Sequence, residues 1–105
     1  MQIQINTNST IDGREGLIAH FQDVIGNGLS RFSSQITTVE VHLSDENGAK
    51  KGAADKRCLL EARLEHRKPT AVTHEAGTLD DAVAGALDKM TRSLGGTIER
   101  LRKRR

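Results

Sequence analysis

TLDDAVAGALDKMTRSLGGTIERLRKRR, residues 78–105, carries the pattern around which the rest of the chain is organised. Leu79, Val83, Leu87, Met90, Leu94, Ile98 and Leu101 recur at steps of three and four, the spacing that aligns one face of an α-helix. At about 100° per residue these side chains fall within an arc of roughly 100°. Lys89, Arg92, Arg100 and Lys103 fall in a second arc of roughly 80°, centred about 140° away. One side of the helix is built to be buried, and the nearly opposite side to be wet and positive.

Charge is separated along the chain in the same sense. Residues 89–105 hold seven Lys/Arg and one acid, Glu99, a net of +6, whereas residues 1–88 hold nine bases and thirteen acids, a net of −4. The overall charge of +2 therefore describes a basic helix end, including the Arg102, Lys103, Arg104 and Arg105 cluster, attached to a mildly acidic body. Such a sign separation favours a polyanionic partner, and nucleic acid presents the densest phosphate surface. There is no Trp or Tyr, and Phe21 and Phe32 are the sole aromatics. That scarcity argues against stacking of bases on an aromatic platform. Nucleic-acid contact is expected to run through phosphates and shape.

Upstream, Gln2–Thr7 alternates, with Ile3 and Ile5 facing one way, and reads as a half-buried strand. Leu17, Phe21, Val24, Ile25, Leu29 and Phe32 follow at helical spacing and predict a first amphipathic helix over residues 13–31, capped by Asp12 or Thr10. Gly26 and Gly28 weaken its last turns, and its exposed charges Arg14, Glu15, Asp23 and Arg31 cancel. Ile36–Ser44 alternates again, with Val39, Val41 and Leu43 on one face. Residues 45–55 (DENGAKKGAAD) contain Asn-Gly and no apolar period, the mark of a hairpin connection. A third strand is expected over Lys56–Arg67, with Cys58, Leu60, Ala62 and Leu64 inward, then a turn at Lys68-Pro69 and a fourth strand over Thr70–Ala76. Thr78 and Asp81 make a capping-box-like start to the final helix.

The resulting order, β-α-β-β-β-α, predicts an α+β two-layer domain over residues 1–105: a four-stranded sheet with two helices packed on one face. The three consecutive strands form an antiparallel meander, and the first strand joins their sheet after a helical crossover.

Catalytic and metal-bearing patterns are absent from the sequence. His20, His42, His66, His74 and Cys58 show no ligand spacing of the C-x₂-C or H-x₃-H kind, so no metal or other cofactor is expected. His66 and His74 are placed to approach one another across the third hairpin. Cys58 lies on an apolar strand face, where a thiol is inert core. Asp45-Glu46 and Asp80-Asp81 are explained by a loop and a helix start. Gly95-Gly96 follows no strand and precedes no Gly-Lys-Ser/Thr, so it marks a kink or a close approach. The chain is expected not to be an enzyme. A lone cysteine, no long apolar run and no signal-peptide core make a cytoplasmic protein without membrane association the expectation.

Four stretches together resemble a known family: MQIQIN, TIDGREGLIAHFQDVIGNGLSRF, ITTVEVHLS and ALDKMTRSLGGTIERLRKR. They look like the short form of the ribosome hibernation promoting factors, also called ribosome-associated inhibitors or sigma-54 modulation proteins. The most specific piece is Asp88-Lys89-Met90-Thr91-Arg92-Ser93-Leu94, similar to the family's D-K-L-x-R-x-L helix motif. The resemblance implies binding, as a monomer, to ribosomal RNA of the small subunit, in the channel that messenger and transfer RNA occupy. Translation would be silenced there in stress or stationary phase. It also implies RNA-contact roles for Lys89 and Arg92, with Arg100 and Lys103 extending the stripe, and Arg102, Arg104, Arg63 and Arg31 are expected RNA contacts as well. Members usually carry several cations on the first helix, where this chain offers Arg14 and Arg31. Half of the basic surface the resemblance implies is therefore missing, or is replaced by Arg57, Arg63, Arg67 and Lys68 of the outer sheet. The alternative function is a protein-interaction module of the same fold that no longer binds ribosomes.

Overall fold

The strands form one sheet in the order β1-β2-β3-β4, with β1 (Gln2–Thr7) parallel to β2 (Ile36–Asp45), and β3 (Lys56–Leu64) and β4 (Thr70–Ala76) continuing antiparallel. The computed structural model describes residues 1–8, 14–45 and 55–103. The expected capping residues Thr10 and Asp12, the interior of the β2–β3 connection, and Arg104 and Arg105 lie outside the described residues. Two helices cover one face: α1 (Arg14–Gly28) over β1, and α2 (Leu79–Lys103) over β3 and β4. The fold class read from periodicity is the one observed.

Alternation decides which strand residues enter the core, because successive side chains point to opposite faces. Val39, Val41 and Leu43 from β2, and Cys58, Leu60, Ala62 and Leu64 from β3, are buried beside Ile5 of β1. Phe21, Ile25 and Leu29 meet them from α1, and Val83, Met90 and Leu94 from α2. Ala82 and Ala86 join that contact, so two small side chains let the helix lie close to the sheet. Ile36 is buried as well, although strict alternation from Val39 would turn it outward. A bulge between Ile36 and Thr38 absorbs the extra residue, and the Thr37 hydroxyl donates to the Arg63 carbonyl at 3.1 Å.

Several boundaries depart from the sequence reading. The first helix stops at Gly28 rather than at Arg31. A single 3₁₀ turn, Ser30–Phe32, then brings Phe32 into the core. The two weak helix formers at 26 and 28 end the α-helical run, and the Ser30 hydroxyl donates to the Asn27 carbonyl at 2.9 Å across the break. The third strand ends at Leu64, not Arg67, because His66 adopts a left-handed backbone with φ of 62°. This also separates His66 from His74: the first is exposed in the turn, and the second is half-buried on β4 opposite Cys58.

The final helix begins where its cap predicts. The Asp81 amide donates to the Thr78 hydroxyl at 3.1 Å, and the Ala82 amide to the Thr78 carbonyl at 3.0 Å. Gly85 sits where α2 crosses β4, and a Cβ there would lie 2.1 Å from the His74 ring. Only a residue without a side chain permits this approach. At the start of β3, Lys56 joins Asp55 at 2.9 Å and Asp45 at 3.3 Å, closing the base of the β2–β3 connection. The Lys56 hydrogen bond holds the Asp55 carboxyl below its ordinary range, and the same bond raises the lysine.

Candidate nucleic-acid interface

Helical periodicity places Lys89, Arg92, Arg100 and Lys103 on the solvent side of α2, and all four are exposed. Each is held differently. Lys89 reaches over the edge of the sheet and donates from Nζ to the Thr73 carbonyl of β4 at 2.7 Å. It thereby occupies a backbone acceptor of an edge strand, where lysine commonly discourages further strand pairing. Arg92 donates from Nε to the Asp88 carbonyl at 3.4 Å and pairs through its guanidinium with the Asp88 carboxylate. Lys103 lies 3.6 Å from Glu99, and Arg100 donates to the Thr97 hydroxyl at 3.3 Å.

The two ion pairs run acid-to-base at i,i+4, the favourable orientation along a helix. Exposed pairs of this kind contribute only about 0.3–0.5 kcal/mol. A phosphate can therefore displace Asp88 or Glu99 at little cost, and both cations are preset rather than neutralised. The helix is polar along its length too. Asp80 and Asp81 open it, and Arg100, Arg102 and Lys103 close it, which complements its dipole. At the acidic end His20 of α1 sits 3.1 Å from Asp80 and ties the two helices together.

The tertiary structure adds cations to the basic end of α2. Arg67 and Lys68 do not lie on the outer sheet face. They belong to the β3–β4 turn, because β3 stops at Leu64. There they line a cleft of about 580 Å³ together with Arg100. A neighbouring cleft of about 330 Å³, floored by Leu64, Ile98 and Leu101, lies between Arg67 and Arg102. Arg102 and Arg31 border a third. Lys68, Arg67, Arg100, Arg102 and Arg31 thus gather in a predominantly cationic rim around one end of the molecule, with Glu65 and Glu99 interspersed among them. The Arg31 guanidinium lies over the Phe32 ring, 4.5 Å from its centroid, and a Cβ at Gly95 would come within 3.4 Å of it. Gly95 faces this arginine and Gly96 faces Arg100, and α2 continues unbroken through residues 95 and 96.

The residues expected from sequence are therefore not one site. Arg31, Arg100 and Arg102 come together at the rim, with Lys103 on the adjoining turn. Lys89 and Arg92 lie farther up the helix, about 16 Å from Arg100 for Lys89 at 1.5 Å per residue. Arg63 projects from the far face of the sheet, in a small cleft beside Glu40 and Glu61. Arg104 lies outside the described residues. Arg67 and Lys68 reach the rim from a turn whose direction no linear pattern encodes. Phe21 and Phe32 are both buried, so neither offers a ring to a base. Cys58 is also enclosed, and burial pushes its thiol up to about 12.

A model of the family of sigma 54 modulation protein / S30EA ribosomal protein matches residues 3–102. The chain belongs to that family. The S30EA family is one of ribosome-associated factors and not of enzymes. Among solved structures, the chain is similar to a ribosomal subunit interface protein from Coxiella burnetii, with a TM-score of 0.70 at 15% identity, covering 94% of this chain and 99% of that one. It is also similar to the N-terminal domain of Protein Y from Thermus thermophilus, with a TM-score of 0.65 at 16% identity, covering 89% of this chain and 94% of that one. At such low identity these likenesses establish the S30EA fold. No curated protein sequence gives a significant match. No helix among the described residues is long and apolar enough to cross a membrane.

Proposed function

We propose that this chain is a cytoplasmic, single-domain translation silencer. As a monomer and without a cofactor, it binds ribosomal RNA of the small subunit and occupies the messenger and transfer RNA channel in stress or stationary phase. The observation that carries this reading is the cationic surface running from Lys89 along α2 to the rim of Arg31, Arg67, Lys68, Arg100 and Arg102. Family membership supplies the ribosome as the polyanion, and the Coxiella relative is described as a subunit interface protein. With both phenylalanines buried, recognition runs through phosphates: arginine forks and lysine point charges on RNA backbone.

Co-sedimentation with purified ribosomes tests the reading. Wild type is expected to travel with small subunits or whole ribosomes at low salt and to be released as salt rises, because phosphate contacts displace counterions. Arg100→Glu/Arg102→Glu is expected to stay at the top of the gradient. Lys89→Glu/Arg92→Glu is expected to weaken binding less, since Lys89 already serves the edge of β4. Wild type that never leaves the top of the gradient overturns the proposal. A protein partner then becomes the better reading, one favoured by the exposed acids Glu15 and Asp23 on α1.

A further inference from the structure

The outer face of the sheet, away from both helices, carries three metal-ligating side chains that no sequence spacing announces. Glu40 and His42 share that face because they are two apart on β2, and Glu61 stands directly opposite Glu40 on β3. Their ligand atoms all lie within 4.8 Å of one another. His42 Nε2 is 3.9 Å from a Glu40 carboxylate oxygen, too far for a hydrogen bond. It is close to the separation of two donors sharing one ion, whose bonds of about 2.1 Å set ligand atoms roughly 3–4 Å apart.

We propose that Glu40, His42 and Glu61 form a binding site for a first-row divalent transition-metal ion such as Zn²⁺. Two carboxylates directly opposite on paired strands repel one another, and a dication between them converts that repulsion into attraction. The imidazole selects the ion class, because nitrogen with carboxylate oxygens suits zinc and its neighbours, whereas Mg²⁺ and Ca²⁺ prefer all-oxygen sets. The platform is rigid: β2 and β3 are the two central strands, each hydrogen-bonded on both sides. Three protein ligands on an exposed face leave the remaining positions to water. Arg63 lines the same small cleft as Glu40 and Glu61, so its guanidinium competes with the ion for the two carboxylates. The other histidines are placed elsewhere: His20 beside Asp80, His66 beside Glu65, and His74 under α2. This site lies on the opposite layer from α2, and the proposal does not depend on the ribosome reading.

Equilibrium dialysis of the metal-stripped chain against ZnCl₂, in excess Mg²⁺, tests it. One Zn²⁺ per chain is expected to bind saturably. His42→Ala and Glu61→Gln are each expected to weaken binding at least about tenfold, the lower end of what disturbing a metal's surroundings costs. Arg63→Gln is expected to tighten it, and His20→Ala and His66→Ala to leave it unchanged. Glu61 is half-buried and the other positions are exposed, and matching far-UV circular dichroism will show that each variant is folded. Absence of saturable Zn²⁺ binding overturns the proposal. So does an affinity in His42→Ala equal to wild type, or a loss in His20→Ala or His66→Ala as large as that in His42→Ala.

Discussion

Gly85→Ala tests the close crossing of α2 over β4. A methyl group at this position would stand 2.1 Å from Cδ2, 2.3 Å from Nε2 and 2.4 Å from Cγ of His74. Carbon atoms in contact prefer 3.5–4.0 Å, so about 1.5 Å must be found. Because Cγ itself is too close, turning the ring about its own axis does not clear the clash. Either the histidine abandons its rotamer or the helix lifts. Lifting would open the contacts of Val83 and Ala86, which are fully buried on either side of Gly85. Overpacking of this kind costs about 1–3 kcal/mol, whereas Gly→Ala within a helix returns about 1 kcal/mol. The expected net is a loss of up to about 2 kcal/mol, which for a chain of this size lowers Tm by several degrees.

In a His74→Ala background the methyl meets no ring. Gly85→Ala is then expected to be neutral or to stabilise by up to about 1 kcal/mol, giving a coupling of about 1–3 kcal/mol between the two positions. Urea unfolding of the four proteins, followed by circular dichroism, closes the cycle. Gly85→Ala that stabilises the chain with His74 intact would refute the reasoning, as would two effects that simply add.

Other outcomes follow from the same geometry. Thr78→Ala removes the hydroxyl that accepts from the Asp81 amide and is expected to cost about 1 kcal/mol in urea unfolding, while Thr78→Ser keeps most of the stability. Cys58 is fully buried, and its thiol is raised from an ordinary 9.0 to about 12. The folded state therefore holds its proton where the unfolded chain releases it. That contribution to stability is fully present below pH 9.0 and is lost as pH climbs toward about 12. At pH 8 the native thiol is expected to resist iodoacetamide, reacting at the rate of unfolding, and fast labelling without unfolding would contradict its placement in the core.

The elements themselves were legible because one residue property sets each. Alternation in Gln2–Thr7 and Thr70–Ala76 gave strands with the observed bounds, and three-four spacing in α2 gave both its buried face and its exposed cations. The errors fall where local preference competes with packing. Leu29 and Phe32 keep a helical apolar period, yet the chain leaves the α-helix at Gly28 and still buries both through a 3₁₀ turn. Ile36 reaches the core only because a bulge shifts the phase of β2. Arg67 continues the alternation of β3 on paper, but the left-handed His66 two residues after Leu64 sends it into a turn.

Periodicity is a property of neighbours along the chain, and it sufficed for the fold class, the buried stripe and the exposed cations of α2. Proximity between distant residues is set by strand order, register and the angle at which helices cross, none of which a linear spacing records. Only the fold therefore brought Arg67 and Lys68 beside Arg100. It also gave Lys89 a backbone partner on the edge strand, laid His74 against a glycine, and set Glu61 across from Glu40 and near His42. The sequence alone determined which surfaces are apolar and which are charged. Tertiary structure decided which of those charges share a site.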